Sequence, residues 1–276
     1  MSLFICPVCK SGLIEQNKSL ICKNGHCFDF SKEGYVNLLL ANQMNSKEPG
    51  DSKLMAVSRS RFLEKEYYAS LLDSMCNVIC EYVPKNTFSF LDCGCGEGYY
   101  TNRIYEYLMS HGKKIEAAAF DISKPSVSHA AKHKTGTEYA VASVFDIPVN
   151  DQSFDVLLNI FSPMSPKEYY RVLKNDGIYL YVVPGSRHLW QMKEAIYDTP
   201  YENTEEDIEY PGFVHIGKKQ VRYTANIENK EDIKALFSMT PYYWKTSAKG
   251  TEKLLSLDTL MTEISFDIHI YRKQEG

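Results

Sequence analysis

Short apolar runs recur through the middle of the chain. One ends at Phe90-Leu91 before Asp92, and others span 115–120, 138–142, 154–160 and 177–183. Runs of this length, bounded by turn residues, read as strands, and the stretches between them read as helices. Ahead of the first strand, Tyr68 with Leu71 and Leu72 also carries helical spacing and reads as a core aromatic on that basis alone. Strand and helix in alternation predict a parallel, doubly wound α/β sheet. Near the carboxy terminus Ile264-Ser265-Phe266-Asp267-Ile268-His269-Ile270 alternates strictly and predicts one arm of an antiparallel hairpin that completes the sheet.

The first predicted strand leads into Asp92-Cys93-Gly94-Cys95-Gly96-Glu97-Gly98-Tyr99. An acidic strand end followed by alternating glycines and a helix start is how a nucleotide-like ligand is held at the edge of a parallel sheet. The backbone turns sharply there, approaches the ligand without side chains and offers unpaired N–H groups. A dinucleotide fingerprint wants its third glycine where Tyr99 stands, so the pattern points away from NAD and toward S-adenosylmethionine (SAM). The second strand ends in Asp121, placed to accept hydrogen bonds from ribose hydroxyls, to cap the helix that begins near Ser123, or to do both. After the third strand, where many class I methyltransferases hold the adenine with an aspartate, this chain has Ser143, with Asp146 either serving at an offset or capping the loop.

At 276 residues, with 44% hydrophobic and 13% aromatic content, the chain suits one large globular domain plus a small appendage. No apolar run approaches a membrane span and the first ten residues do not read as a secretory signal, so the expected setting is cytoplasmic, with no membrane partner. The net charge of −4 is uneven: residues 1–61 carry eight Lys/Arg against five Asp/Glu, leaving −7 on the remainder. That asymmetry is compatible with a front end that meets phosphate, and equally with a solvated face.

Four of the eight cysteines fall in the first 27 residues. Cys6-Pro7-Val8-Cys9 and Cys22-Lys23-Asn24-Gly25-His26 form two knuckles twelve residues apart, offering three thiolates and an imidazole to a tetrahedral Zn2+, with Cys27 as the alternative fourth ligand. So short a segment cannot bury a core of its own, and a structural zinc substitutes for one. Four protein ligands leave no open position for chemistry at the metal.

After the zinc knuckles comes Lys32-Glu33-Gly34-Tyr35-Val36-Asn37-Leu38-Leu39, then Pro49-Gly50-Asp51, Arg61-Phe62-Leu63, the glycine turn with its double tyrosine Tyr99-Tyr100, and Pro184-Gly185-Ser186-Arg187-His188-Leu189. On these segments, which cover nearly the whole chain, the sequence resembles the RlmA-type 23S rRNA guanine-N1 methyltransferases. The resemblance implies a Rossmann-like class I SAM-dependent methyltransferase domain over 49–276 and a small zinc-ribbon-like RNA-recognition domain with linker over 1–48. It implies zinc ligation by Cys6, Cys9, Cys22 and His26, and SAM contacts from Tyr68, Gly96, Glu97 and His188, alongside Asp92, Gly94 and Asp121 from the motif reading above. It further implies a 23S rRNA hairpin as partner, and a homodimer.

Guanine N1 lies on the Watson–Crick edge, so the target must be unpaired or flipped out. The segment Asn159-Ile160-Phe161-Ser162 after the fourth strand is where a base would be held, by hydrogen bonds from Asn159 and Ser162 and stacking on Phe161; the alternative is a loop that only ends the strand. The sequence names no catalytic proton acceptor. Met239-Thr240-Pro241-Tyr242-Tyr243-Trp244 reads as core packing, with an RNA-facing cluster as the alternative. Two other function classes compete: a small-molecule methyltransferase, and a zinc-ribbon binding module fused to a non-catalytic SAM sensor.

Overall fold

The computed structural model describes residues 1–43, 50–204 and 209–274. Pro49 and the expected domain boundary after residue 48 lie outside the described residues. The front of the chain is a three-stranded antiparallel meander, β1 (Leu13–Gln16), β2 (Ser19–Cys22) and β3 (Cys27–Asp29), followed by the two-residue strand β4 (Val36–Asn37). Helices α1 (Lys53–Glu64) and α2 (Ala69–Tyr82) lead into β5 (Thr87–Cys93). The alternation then runs α3 (Tyr99–Ser110), β6 (Lys114–Asp121), α4 (Lys124–Ala130), β7 (Thr137–Val141), β8 (Phe154–Ile160), α5 (Pro166–Val172), β9 (Leu173–Pro184) and α6 (Trp190–Ile196). Two long strands, β10 (Phe213–Ile227) and β11 (Leu260–Lys273), enclose helices α7 (Lys230–Ser238) and α8 (Ala248–Leu255).

The main sheet has the order β10-β11-β9-β8-β5-β6-β7-β4. From β9 to β4 its neighbours pair parallel, and β11 runs antiparallel to both β9 and β10. The order turns back at β5, where the chain leaves in one direction through β6 and later in the other through β8. A crevice opens at such a point beyond the carboxyl ends of the strands, and the glycine turn after β5 lies there. The central strands are apolar on both faces: every residue of β8 is buried, as parallel strands covered by helices require. The terminal arm is an antiparallel pair, as the alternation of residues 264–270 predicts.

The appendage is joined to this sheet more closely than the sequence suggests. Val36 and Asn37 pair with Ala140 and Val141, so β4 extends the sheet at its β7 edge. Ile5 N–H donates to Pro148 O at 2.8 Å, Leu38 N–H to Val141 O at 2.9 Å, and Ser2 Oγ to the Glu138 carboxylate at 2.5 Å. Phe4, Leu13, Leu20 and Val36 belong to one buried cluster with Leu91, Phe120, Ile147, Val149 and Phe154. A segment too small to enclose apolar side chains thus buries them against the larger body.

Candidate functional site

In the front module, β1 and β2 carry Cys22 and His26 back onto the Cys6-to-Cys9 turn. The ligand atoms of Cys6, Cys9, Cys22 and His26 all lie within 4.8 Å of one another, and no other such group occurs among the described residues. His26 Nδ1 stands 3.4 Å from Cys6 Sγ and 3.3 Å from Cys22 Sγ, and Cys9 Sγ is 3.6 Å from Cys22 Sγ. A tetrahedron with Zn–S bonds of about 2.3 Å has S–S edges of about 3.8 Å, so the set fits zinc closely. Hydrogen bonds from the Ser11 side chain and backbone lower the Cys9 thiol to about 5, favouring the thiolate the metal needs. Cys27 is exposed, its thiol 3.9 Å from Asp29 Oδ1, outside the cluster. Of the two fourth ligands the spacing left open, the fold gathers the histidine.

At the carboxyl edge of the sheet, all three glycines of the turn have positive φ: Gly94 at 87°, Gly96 at 55° and Gly98 at 83°. A side chain at Gly94 would meet Ser162 at 2.5 Å, and one at Gly98 would meet Ala130 at the same distance. Gly94 and Gly98 are therefore required by both conformation and space, and Gly96 by conformation. Helix α3 begins at Gly98 without a side-chain cap, which leaves its first N–H groups toward the crevice. Asp121 accepts from the backbone at both oxygens, from Gly96 N–H at Oδ2 (3.0 Å) and from Ser123 N–H at Oδ1 (2.8 Å), whereas the cap of α4 is Ser123, whose Oγ accepts from Ser126 N–H.

Asp92 is buried at the strand end, where Thr101 Oγ1 donates to its Oδ2 at 2.5 Å while Oδ1 has no partner. Burial pushes its carboxyl up to about 7 against the pull of Thr101, with Asp121 and Glu97 adding to the rise. Glu97, only 4% exposed, is pushed up to about 7 by burial despite the nearby Arg59, and its Oε2 makes no hydrogen bond. Unpaired buried carboxylates are costly, and groups of this kind concentrate where a protein binds or reacts.

Tyr68, just before α2, and His188, in the turn before α6, are far apart in sequence but meet: Tyr68 Oη lies 3.4 Å from His188 Nε2. Ser265 N–H donates to His188 Nδ1 at 3.3 Å. Burial, with Lys193 nearby, depresses the imidazole to about 3, so it is neutral with its proton on Nε2. Phe266 of β11 touches both rings, at 4.8 Å from Tyr68 and 4.5 Å from His188. Phe161 packs on the same Phe266 at 5.3 Å, is 45% exposed, and holds φ of 55°, a left-handed conformation uncommon for an aromatic.

Other expected contacts turn inward. Asn159 is fully buried, donating from Nδ2 to Pro163 O at 3.0 Å and to Tyr169 Oη at 2.6 Å, while its Oδ1 has no hydrogen-bond partner. Ser162 Oγ donates to Cys93 O at 2.8 Å. Asp146 accepts from Lys10 Nζ at 2.6 Å and Gln43 Nε2 at 2.8 Å, tying the front module to the loop after β7. Ser143 Oγ accepts from Phe145 N–H at 3.2 Å. Tyr242 and Tyr243 pack against the main core, whereas Trp244 is 68% exposed.

Sequence reading missed Arg59, whose Nη1 lies over Gly96, and Phe266, the hub of the aromatic wall. Arg59 sits two residues before the Arg61-Phe62-Leu63 element, but no local pattern tells which arginine of the two turns inward.

Comparison with known proteins agrees with this geometry. Residues 4–47 match the family model for the RlmA N-terminal zinc ribbon, and residues 84–231 match a methyltransferase-domain model. YxjB of Bacillus subtilis (strain 168), provisionally named a 23S rRNA (guanine-N(1)-)-methyltransferase, is 33% identical over 99% of this chain and 98% of its own. The 23S rRNA (guanine(748)-N(1))-methyltransferase of Streptomyces fradiae is 29% identical over 87% of this chain and 85% of its own. Among solved structures, the YcgJ protein from Bacillus subtilis superposes with a TM-score of 0.50 at 18% identity, covering 76% of this chain and all (100%) of that one. That last likeness shows the Rossmann-like methyltransferase fold alone.

Proposed function

This chain belongs to the 23S rRNA (guanine-N1)-methyltransferase family, and on that premise we propose that it transfers a methyl group from SAM to N1 of a guanine presented by a 23S rRNA hairpin loop. The observation that carries the reading is the joining of a Cys3His zinc cluster and a glycine-turn crevice through β4, which extends the main sheet, and through one buried core. A small-molecule methyltransferase has no use for the first of these.

SAM, when bound, supplies a sulfonium methyl that is already activated, so the chain's task is to align a nucleophile and exclude water. We assign the cofactor's support to Asp92, Gly94, Gly96, Glu97 and Asp121 around the turn, with Tyr68 and His188 on the opposite wall. Because Ser265 N–H occupies His188 Nδ1 and burial keeps the ring neutral, His188 is a hydrogen-bond donor and not the acceptor of the guanine N1 proton. Phe161, exposed and strained at the mouth, suits stacking on an unpaired base. Zinc held by Cys6, Cys9, Cys22 and His26 would fix the front module, residues 1–48, as the element that meets the hairpin backbone beside the domain of residues 49–276. A homodimer would widen that surface, and action on ribosomal RNA would put the protein in the cytoplasm. Among the described residues no helix is long and apolar enough to cross a membrane.

Mass mapping of 23S rRNA from a deletion strain tests the reading. Loss of a single monomethylguanosine and its return with the restored gene is the expected result; unchanged rRNA would sink it. The full-length protein should methylate RNA and show no turnover without it, whereas the small-molecule alternative predicts turnover that does not depend on RNA.

A further inference from the structure

Gly50, Asp51 and Ser52 approach the turn after β6 closely, and α1 then runs beside the glycine turn. Ser123 Oγ donates to Asp51 O at 2.8 Å, and a side chain at Gly50 would meet Ile122 at 2.8 Å. Ser52 caps the helix, its Oγ accepting from Met55 N–H at 3.3 Å, and Arg61 secures it through Nε to Asp232 Oδ1 at 2.9 Å. This anchoring sets Arg59 over Gly96, its Nη1 3.4 Å from where a Cβ would stand.

The guanidinium is held at one end only. Its Nη1 donates to Asp51 Oδ2 and stands 3.6 Å from Glu97 Oε2, too far for a hydrogen bond. Nε and Nη2 have no protein partner among the described residues. The side chain is 26% exposed and its Nη1 stands beside Gly96, so the fork lies next to the glycine turn and is not lost in bulk water. Two parallel N–H donors in a fixed plane match a carboxylate, and a partly desolvated guanidinium makes that match strong.

We propose that Arg59 is the receptor for the α-carboxylate of the amino-acid arm of the cofactor, with Asp51 and Glu97 as positioning residues that fix its plane. The proposal deepens the cofactor reading above and rests on it. Asp121 at the end of β6 is kept for the ribose and Arg59 on α1 for the carboxylate, so the nucleoside and amino-acid ends of one ligand are gripped by different elements. The buried oxygen of Glu97 that lacks a hydrogen bond is then explained: it gains one from Arg59 when the guanidinium settles on the ligand.

The test is calorimetry on the full-length, zinc-loaded chain with S-adenosylhomocysteine and its decarboxylated analogue. Wild-type protein should prefer the carboxylate-bearing ligand by about 10- to 100-fold, the range of a charged bidentate pair. Arg59→Met should lose most of that preference while binding the decarboxylated analogue as wild type does. Full preference retained in Arg59→Met, or none in the wild type, overturns the proposal. Arg59→Lys, which keeps charge but not the fork, serves if the methionine variant does not fold, and should bring the preference down by about 3- to 10-fold; an unchanged ratio overturns the proposal equally. Wild-type protein that binds neither ligand would instead remove the cofactor reading itself.

Discussion

The zinc module and the cofactor edge resolve opposite problems. The module has too little apolar surface, so its fold depends on a metal cross-link and on a core lent by the main sheet. The cofactor edge lies in a well-packed body that carries uncompensated polar groups: Asp92 Oδ1 and Glu97 Oε2 are buried with no hydrogen-bond partner. The difference separates residues that hold the fold from residues that weaken it for a ligand. The first set should be intolerant of loss. Part of the second should be replaceable with a gain in stability.

The comparison breaks most visibly at the metal. Chelation, or Cys9→Ser, should release one zinc and unfold the front, because structural zinc contributes apparent binding energy of about 10–16 kcal/mol in isolated modules. Since Phe4 and Leu13 share a cluster with Phe120 and Phe154, calorimetry should show the melting of the whole chain shifting downward. An unchanged main transition would mean that the modules are energetically separate, and metal analysis finding no zinc in the wild type would contradict the site. Next in size is Phe4→Ala. Phe4 is 1% exposed at the junction, so its removal should cost about 3–5 kcal/mol in denaturant melts, with zinc retained.

Glu97→Gln sharpens the other side. The folded carboxyl stands near 7 against an ordinary 4.5, so the folded chain holds a proton that the unfolded chain releases. Its contribution to stability is fully present below about pH 4.5 and is lost as pH rises through about 7. The glutamine variant should therefore be more stable than wild type at pH 8, by on the order of 1–3 kcal/mol, and nearly equal at pH 4. Melts showing the same difference at both pH values would remove burial of this charge as the cause. The smallest effect belongs to Lys10→Ala. Its ion pair with Asp146 is half exposed, at 50% and 39%, and should matter by less than about 0.5 kcal/mol.

Local patterns carried much of this molecule. The strand at 154–160 lies where the apolar run places it, because a strand buried on both faces needs continuous hydrophobicity. The three glycines are legible because positive φ and close approach leave few other residues possible, and the Cys-x2-Cys and Cys-x3-His spacings are legible because a tetrahedral metal fixes them. Asp121 is legible as the end of its strand, although only the structure shows both its oxygens engaged.

What sequence could not decide is which side chains turn inward once distant segments meet. Asn159 and Phe161 are two residues apart, yet one is buried in the loop it supports and the other is exposed at the mouth. Tyr68 and His188 join across 120 positions, and Arg59 faces Gly96 only because α1 is pinned at Ser123 and Asp232. The sequence by itself determined the central strands, the glycine turn and three of the metal ligands, Cys6, Cys9 and Cys22, all of which rest on short-range geometry. The tertiary structure alone decided the shared core of the two modules and the orientation of the crevice walls, because those follow from packing between segments that carry no local signal of one another.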